Sequence, residues 1–131
     1  MTQYRGNDQI RLNSESADRS LTGVAAAWAN LNGTGTIALR DSENVASVTD
    51  EGTGQYTFNL SNSMDNANYY VNANANRTYG SGTAAGDFNA QAGPNNLAAG
   101  SVRVFGFTAD ATSAATRDTP GTFVGIHGVL A

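Results

Sequence analysis

His127 is the single histidine of the chain, so acid–base or metal chemistry has to be looked for there first. It sits in Gly125-Ile126-His127-Gly128, within an apolar alternation, and no G-x-S-x-G nucleophile turn accompanies it. One imidazole and no cysteine rule out a poly-histidine or thiolate site within one chain. Three copies of His127 could meet only in a three-fold assembly, so the residue reads first as an outward strand or interface residue. The carboxylates Asp41, Glu43, Asp50 and Glu51 fall in turn-like segments, where they cap turns or face water, and complete no D-x-[DN]-x-[DN]-G calcium loop. A glycosidase needs two positioned acids, and the glycine-rich stretch from residue 77 to 101 offers only Asp87. Gly33-Thr34-Gly35-Thr36-Ile37-Ala38 matches the letters of a dinucleotide fingerprint, but that motif needs a helix after it. Here a turn and a strand pattern follow, which makes it a glycine-rich hairpin turn. The sequence therefore predicts no catalytic residue, no cofactor and no bound metal, and the chain reads as a non-enzyme.

Recognition chemistry is better supplied. Tyr and Trp join an apolar body to a polar tip, which suits sugar or protein surfaces. Tyr70, Arg77, Tyr79, Asp87 and Phe88 are the candidates for contact with a partner or receptor. Trp28 and Tyr69 read more readily as core. Tyr69, Val71, Ala73 and Ala75 alternate with Tyr70, Asn72, Asn74 and Asn76, so one strand face is apolar and the other carries a row of amides. Asn72, Asn74, Asn76 and His127 are the candidates for an interface between copies.

These residues need a scaffold, and the composition points to strands. The 131 residues carry a net charge of −4, all seven basic residues are Arg, and charged residues are 14% of the chain, against about 25% in ordinary soluble domains. An acidic chain without a basic patch has no means of neutralising phosphates, which argues against nucleic acid. The opening residues lack the basic start and apolar run of a signal peptide, and Val24–Ala29 is far short of a membrane span. Synthesis in a cytoplasm follows as the expectation. Residues 1–22 are polar and irregular and read as an extended arm, with a short helix conceivable over Ser20–Ala29. Residues 23–131 read as one β domain: strands over Val24–Leu31, Thr36–Arg40, Val45–Thr49, Tyr56–Leu60, Tyr69–Asn76, Val102–Thr108 and Phe123–Leu130. Turns are expected at Asn32-Gly33, at Asp41–Asn44 and at Asp50–Gly54, with loops over 77–101 and 112–121. Short strands at this spacing predict an all-β fold, a small antiparallel β-sandwich or barrel. Large apolar residues are few and many core candidates are Ala, so association between copies is expected to add stability.

Two blocks carry a resemblance. Ala27-Trp28-Ala29-Asn30-Leu31-Asn32-Gly33-Thr34-Gly35-Thr36-Ile37-Ala38-Leu39-Arg40-Asp41-Ser42 and Asn44-Val45-Ala46-Ser47-Val48-Thr49-Asp50-Glu51-Gly52-Thr53-Gly54-Gln55-Tyr56-Thr57-Phe58-Asn59-Leu60 resemble a β module of tailed-phage tail-fibre and related tail proteins. Met64-Asp65-Asn66-Ala67-Asn68-Tyr69-Tyr70-Val71 continues the likeness, with a looser echo in Val102–Phe107 and Phe123–Ile126. The family pattern runs A-W-x-N-F-N-G-T-G-T, then D-x-G-T-G-x-Y-T, then M-x-x-A-N-Y-x-V, and names no catalytic residue. The resemblance implies a non-enzymatic virion structural protein, a homo-trimeric tail-fibre or tail-tip subunit that contributes to host attachment. It would be made in the host cytoplasm and located in the virion. Residues 1–22 would dock to other virion proteins, and loops would meet a host surface glycan or protein. The alternative is a decoration (cement) protein that stabilises the head. The chain departs from the family pattern in being short and in its Gly/Ala-rich 77–101 segment.

Overall fold

The computed structural model describes residues 24–76, 88–109 and 114–131, which contain strands and no helix. Nine strands follow in order: β1 (Ala27–Asn32), β2 (Ala38–Glu43), β3 (Val45–Gly52), β4 (Gln55–Leu60), β5 (Tyr70–Asn76), β6 (Phe88–Ala98), β7 (Ser101–Ala109), β8 (Ala114–Thr116) and β9 (Gly121–His127). They form two antiparallel sheets. One has the order β2-β1-β9-β5; the other has the order β3-β4-β7-β6, with β8 paired to β7 beyond the end of β4. The arm over residues 1–22 lies outside the described residues.

Period-2 alternation builds the core between the sheets. β1 turns Ala27, Ala29 and Leu31 inward, and β9 does the same with Thr122, Val124 and Ile126. The other sheet answers with Tyr56, Phe58 and Leu60 of β4 and Val102 and Val104 of β7. Small Ala side chains of β1 share one core cluster with the large aromatics of β4, so a thin apolar supply still fills a two-layer core. Met64, in the β4–β5 connection, is buried at one end, where Met64 and Leu130 form an isolated bridge.

Several boundaries differ from the sequence expectation. Asp41–Asn44 is not a free-standing turn: β2 runs to Glu43, with a bulge against Asn30 and Leu31, and only Asn44 makes the crossing to the other sheet. Asn44 has φ 56°, a left-handed conformation that Asn tolerates better than other residues with a side chain. Its Nδ2 donates to the carbonyls of Ala26 and Asn62, both at 3.1 Å, and its Oδ1 accepts from the Asn62 amide at 2.7 Å. The stretch expected to be a loop over 77–101 contains β6, whose small residues pair along β7 with an irregularity between Ala92 and Leu97. Glycine and Pro94 masked a strand that lies on a sheet edge, where proline is tolerated. The loop over 112–121 contains β8, and β9 begins at Gly121 and ends at His127, leaving Leu130 43% exposed. No helix forms over the described part of Ser20–Ala29, since β1 claims Ala27 onward.

Candidate functional site: the outer face of the four-stranded sheet

The alternation that buries Ala27, Ala29 and Leu31 sends Trp28 and Asn30 to the opposite face. On β9 the outward residues are Phe123, Gly125 and His127. On β5 they are Tyr70, Asn72 and Asn74. Strand pairing arranges them in rows. Tyr70 is opposite His127; Asn72, Gly125, Trp28 and Glu43 form the next row; Asn74, Phe123, Asn30 and Asp41 form the third. The Tyr70 and His127 rings are tilted at 52° with centroids 6.0 Å apart, a favourable aromatic spacing. Asn74 Nδ2 donates to Asn72 Oδ1 at 3.2 Å. Arg40 Nη1 donates to the Leu31 carbonyl at 3.1 Å. Trp28 is 38% exposed and Tyr70 64%.

This face brings together Tyr70, Asn72, Asn74 and His127, to which the sequence assigned two roles, partner or receptor contact for Tyr70 and an interface between copies for the others. Asn76 ends β5 paired with Gly121, and its side chain lies outside the described set. Arg77, Tyr79 and Asp87 lie outside the described residues. Phe88 opens β6 opposite Thr108, and its side chain is likewise not described. Trp28 corrects the sequence reading: it is not core, because it alternates with two buried alanines. Tyr69 is core as expected, half-buried, with its hydroxyl within 2.9 Å of the Ala98 and Ser101 carbonyls. Burial raises its pKa above the ordinary phenol value. Phe123 and Gly125 are not singled out by their residue types, although alternation from Val124 and Ile126 already places them beside His127.

The opposite sheet's outer face is different in kind, because its polar groups satisfy one another. Thr57 Oγ1 donates to Glu51 Oε1 at 2.7 Å, Arg103 Nε donates to Thr57 Oγ1 at 3.2 Å, and Arg103 pairs with Glu51 at 3.1 Å. Asn59 Nδ2 donates to the hydroxyls of Ser47 and Thr49, both at 3.1 Å. A cleft of about 150 Å³ opens beside β2 and β3, lined by Leu31, Ile37, Ala38, Leu39 and Val48, and these walls carry no titratable group. Among the described residues no three His, Asp or Glu gather to hold a metal ion.

The glycine-rich hairpin joining β1 to β2 is a folding device. Asn32 Oδ1 accepts from Thr34 Oγ1 at 2.8 Å, and Gly35 has φ 63°. A Cβ on Gly33 would overlap the Tyr56 hydroxyl and come within 2.6 Å of its Cζ. The fully buried Tyr56 places that hydroxyl 2.9 Å from the Gly33 carbonyl and 3.1 Å from Asp118 Oδ1, which also accepts from the Gly54 amide at 2.7 Å. Burial, then the Asp118 carboxylate, push the Tyr56 hydroxyl well above its ordinary pKa. Gly54, with φ 66°, has no room for a side chain, because a Cβ would meet the Arg117 amide nitrogen at 2.5 Å. The G-T-G and D-E-G-T-G-x-Y letters thus make corners of the sandwich, and no helix follows the first of them.

Comparison with protein-family models, with curated proteins and with solved structures finds no match.

Proposed function

We propose that this chain is a non-enzymatic structural subunit of a tailed-phage particle, a tail-fibre or tail-tip component that assembles as a homo-trimer and contributes to host attachment. The observation that carries the reading is how the phage-like sequence blocks are used. They form corners, hairpins and core, and they also place Trp28 and Tyr70 on the outer face of the four-stranded sheet, which displays aromatic rings and amides. Such a surface suits adhesion, since rings supply contact area at little cost in conformational freedom and amides supply hydrogen bonds. Repetition around a symmetry axis turns weak contacts into firm attachment. In this reading residues 1–22 connect the β domain to neighbouring virion proteins.

The test is the copy number and position of the chain in purified particles, by quantitative mass spectrometry and antibody labelling. Low multiples of three at the tail are expected. Hundreds of copies over the head would overturn the tail reading in favour of a decoration protein. A purified chain that stays monomeric and adheres to no host cell would sink the attachment role altogether.

A further inference from the structure

A glycine in the interior of a strand weakens it and needs a reason: a bulge, a conformation that only glycine adopts, or the close approach of another backbone or a ligand. Gly106, inside β7, has such a reason, since a Cβ there would meet the Arg117 carbonyl oxygen at 2.9 Å. Gly125 lies in the middle of β9, paired on both sides in unbroken register, with Trp28 on one flank and Asn72 on the other. Its φ is not in the left-handed region, and among the described residues a Cβ built on it would meet only the Nε2 of His127, at 3.9 Å. Nothing among the described residues explains the missing side chain.

What the glycine does create is a basin. Trp28 and Asn72 bound it across the sheet, about 9–10 Å apart at the backbone (two strand spacings). Phe123 and His127 bound it along the strand, about 13 Å apart. The floor is bare peptide, and two walls are aromatic carbon. The other two carry an amide and an imidazole, and the Asn74–Asn72 bond engages the amide oxygen of Asn72 and not its Nδ2. Beyond Trp28 stands Glu43, with Asp41 in the next row and Arg40 beside them.

We infer that the basin over Gly125 is a binding site for a neutral pyranose ring. A pyranose has an apolar C–H face that stacks on an indole or phenyl ring, and an edge of hydroxyls that both donate and accept. The basin offers that pairing: Trp28 for the ring face, Asn72 and His127 for the hydroxyls. Among the described residues of this face Asp41 and Glu43 outnumber Arg40, and an acidic rim disfavours sialic or uronic acids and selects neutral sugars. The inference deepens the attachment reading and rests on it for the source of the sugar, a host surface glycan. The binding itself is measured on the isolated chain, so its failure is distinct from a failure of the particle experiment.

Trp28 is the only tryptophan in the chain, so its fluorescence reports on the basin directly. The full chain is titrated with glucose, galactose, mannose, rhamnose and N-acetylglucosamine and their short oligomers, with sialyllactose and a uronic acid oligomer as anionic comparisons. A saturable change in Trp28 emission with at least one neutral sugar, and none with the anionic ones, is expected. Gly125→Val fills the basin without touching the core, so it should keep the far-ultraviolet spectrum and cooperative melting of the parent while weakening binding at least tenfold. Calorimetry on Trp28→Ala should show the same loss. A flat response to every neutral sugar, or equal binding by Gly125→Val, overturns the inference. So does a Trp28 shift that appears on concentration alone together with a rise in mass, because the face would then be an interface between copies.

Discussion

Replacing Tyr56 by Phe deletes a single oxygen at the junction of two corners. The hydroxyl lies 2.9 Å from the Gly33 carbonyl and 3.1 Å from Asp118 Oδ1. Asp118 is exposed and regains water when the hydroxyl goes, so its share of the loss is small. Gly33 is buried, and its carbonyl is left facing the Phe edge. Stranding a buried acceptor costs about 1–3 kcal/mol, and a hydrogen bond to a charged group contributes about 1.5–3 kcal/mol. With the carboxylate discounted, a loss of about 2 kcal/mol is expected, or about 5–8 °C in melting temperature for a chain of this size. Urea unfolding followed by far-ultraviolet circular dichroism gives the value. Asp118→Ala should cost a similar amount, because it also removes the acceptor of the Gly54 amide. The double variant should cost less than the sum, since the two groups share one contact. Alkaline pH supplies an independent check. The folded state holds the Tyr56 proton above the ordinary phenol pKa, so the stability gained is present below about pH 10 and is lost as pH rises beyond it, while the unfolded chain ionises. Tyr56→Phe should flatten that alkaline decline. If Tyr56→Phe falls within about 0.5 kcal/mol of the parent and the two single costs simply add, the corner is not the pin described here.

Other substitutions separate the corners from the surface. Asn44→Ala removes the side-chain bonds to Ala26 and Asn62 and places a methyl at φ 56°, so a loss of about 3 kcal/mol is expected, with Asn44→Gly less damaging because glycine accepts the backbone angle; chemical denaturation ranks them. Gly54→Ala faces a Cβ contact of 2.5 Å with the Arg117 amide nitrogen and should abolish soluble expression or lower the melting temperature by more than any other variant here. Glu51→Gln breaks an ion pair whose two side chains are about one-third exposed and should cost less than about 1 kcal/mol, falling further in high salt. Gly125→Val, by contrast, should raise stability by about 0.5–1 kcal/mol, the usual gain on removing a strand-interior glycine, and a denaturation midpoint below the parent's would show that the open space over Gly125 is not there.

The strands with strict alternation were legible in the sequence. Tyr56–Leu60 and Val102–Thr108 announce themselves because each inward position is large and the rhythm is unbroken. β6 was hidden for the opposite reason: alanine, glycine and proline carry neither a hydrophobic rhythm nor β-propensity, and only pairing with β7 makes a strand of them. The Asp41–Asn44 segment misled because acids and amides signal a turn, whereas the structure uses Asn44 alone to cross between sheets. For the candidate site, residue types were legible and their company was not. Tyr70 and the amide row share a strand, but their union with Trp28 and Phe123 depends on the order β2-β1-β9-β5, which brings the last strand of the chain between the first and the fifth. Local patterns do not report that order, because the pairings of β9 join residues some 50 to 100 positions apart in sequence.

The corner residues and the outer-face residues fail in opposite ways, and that contrast makes function separable from folding in this chain. Gly33, Asn44, Gly54 and Tyr56 act through packing and backbone geometry, so their loss lowers stability and any binding falls with it. Trp28, Asn72, Gly125 and His127 are displayed on a rigid sheet and add little to the core. Substitutions there should leave the melting transition in place, or raise it at Gly125, while removing contact with a partner. If loss of adhesion tracked loss of stability across both groups, the sheet face would be only the outside of a folded domain. Adhesion lost at constant stability, and only for the outer-face set, identifies that face as the working surface.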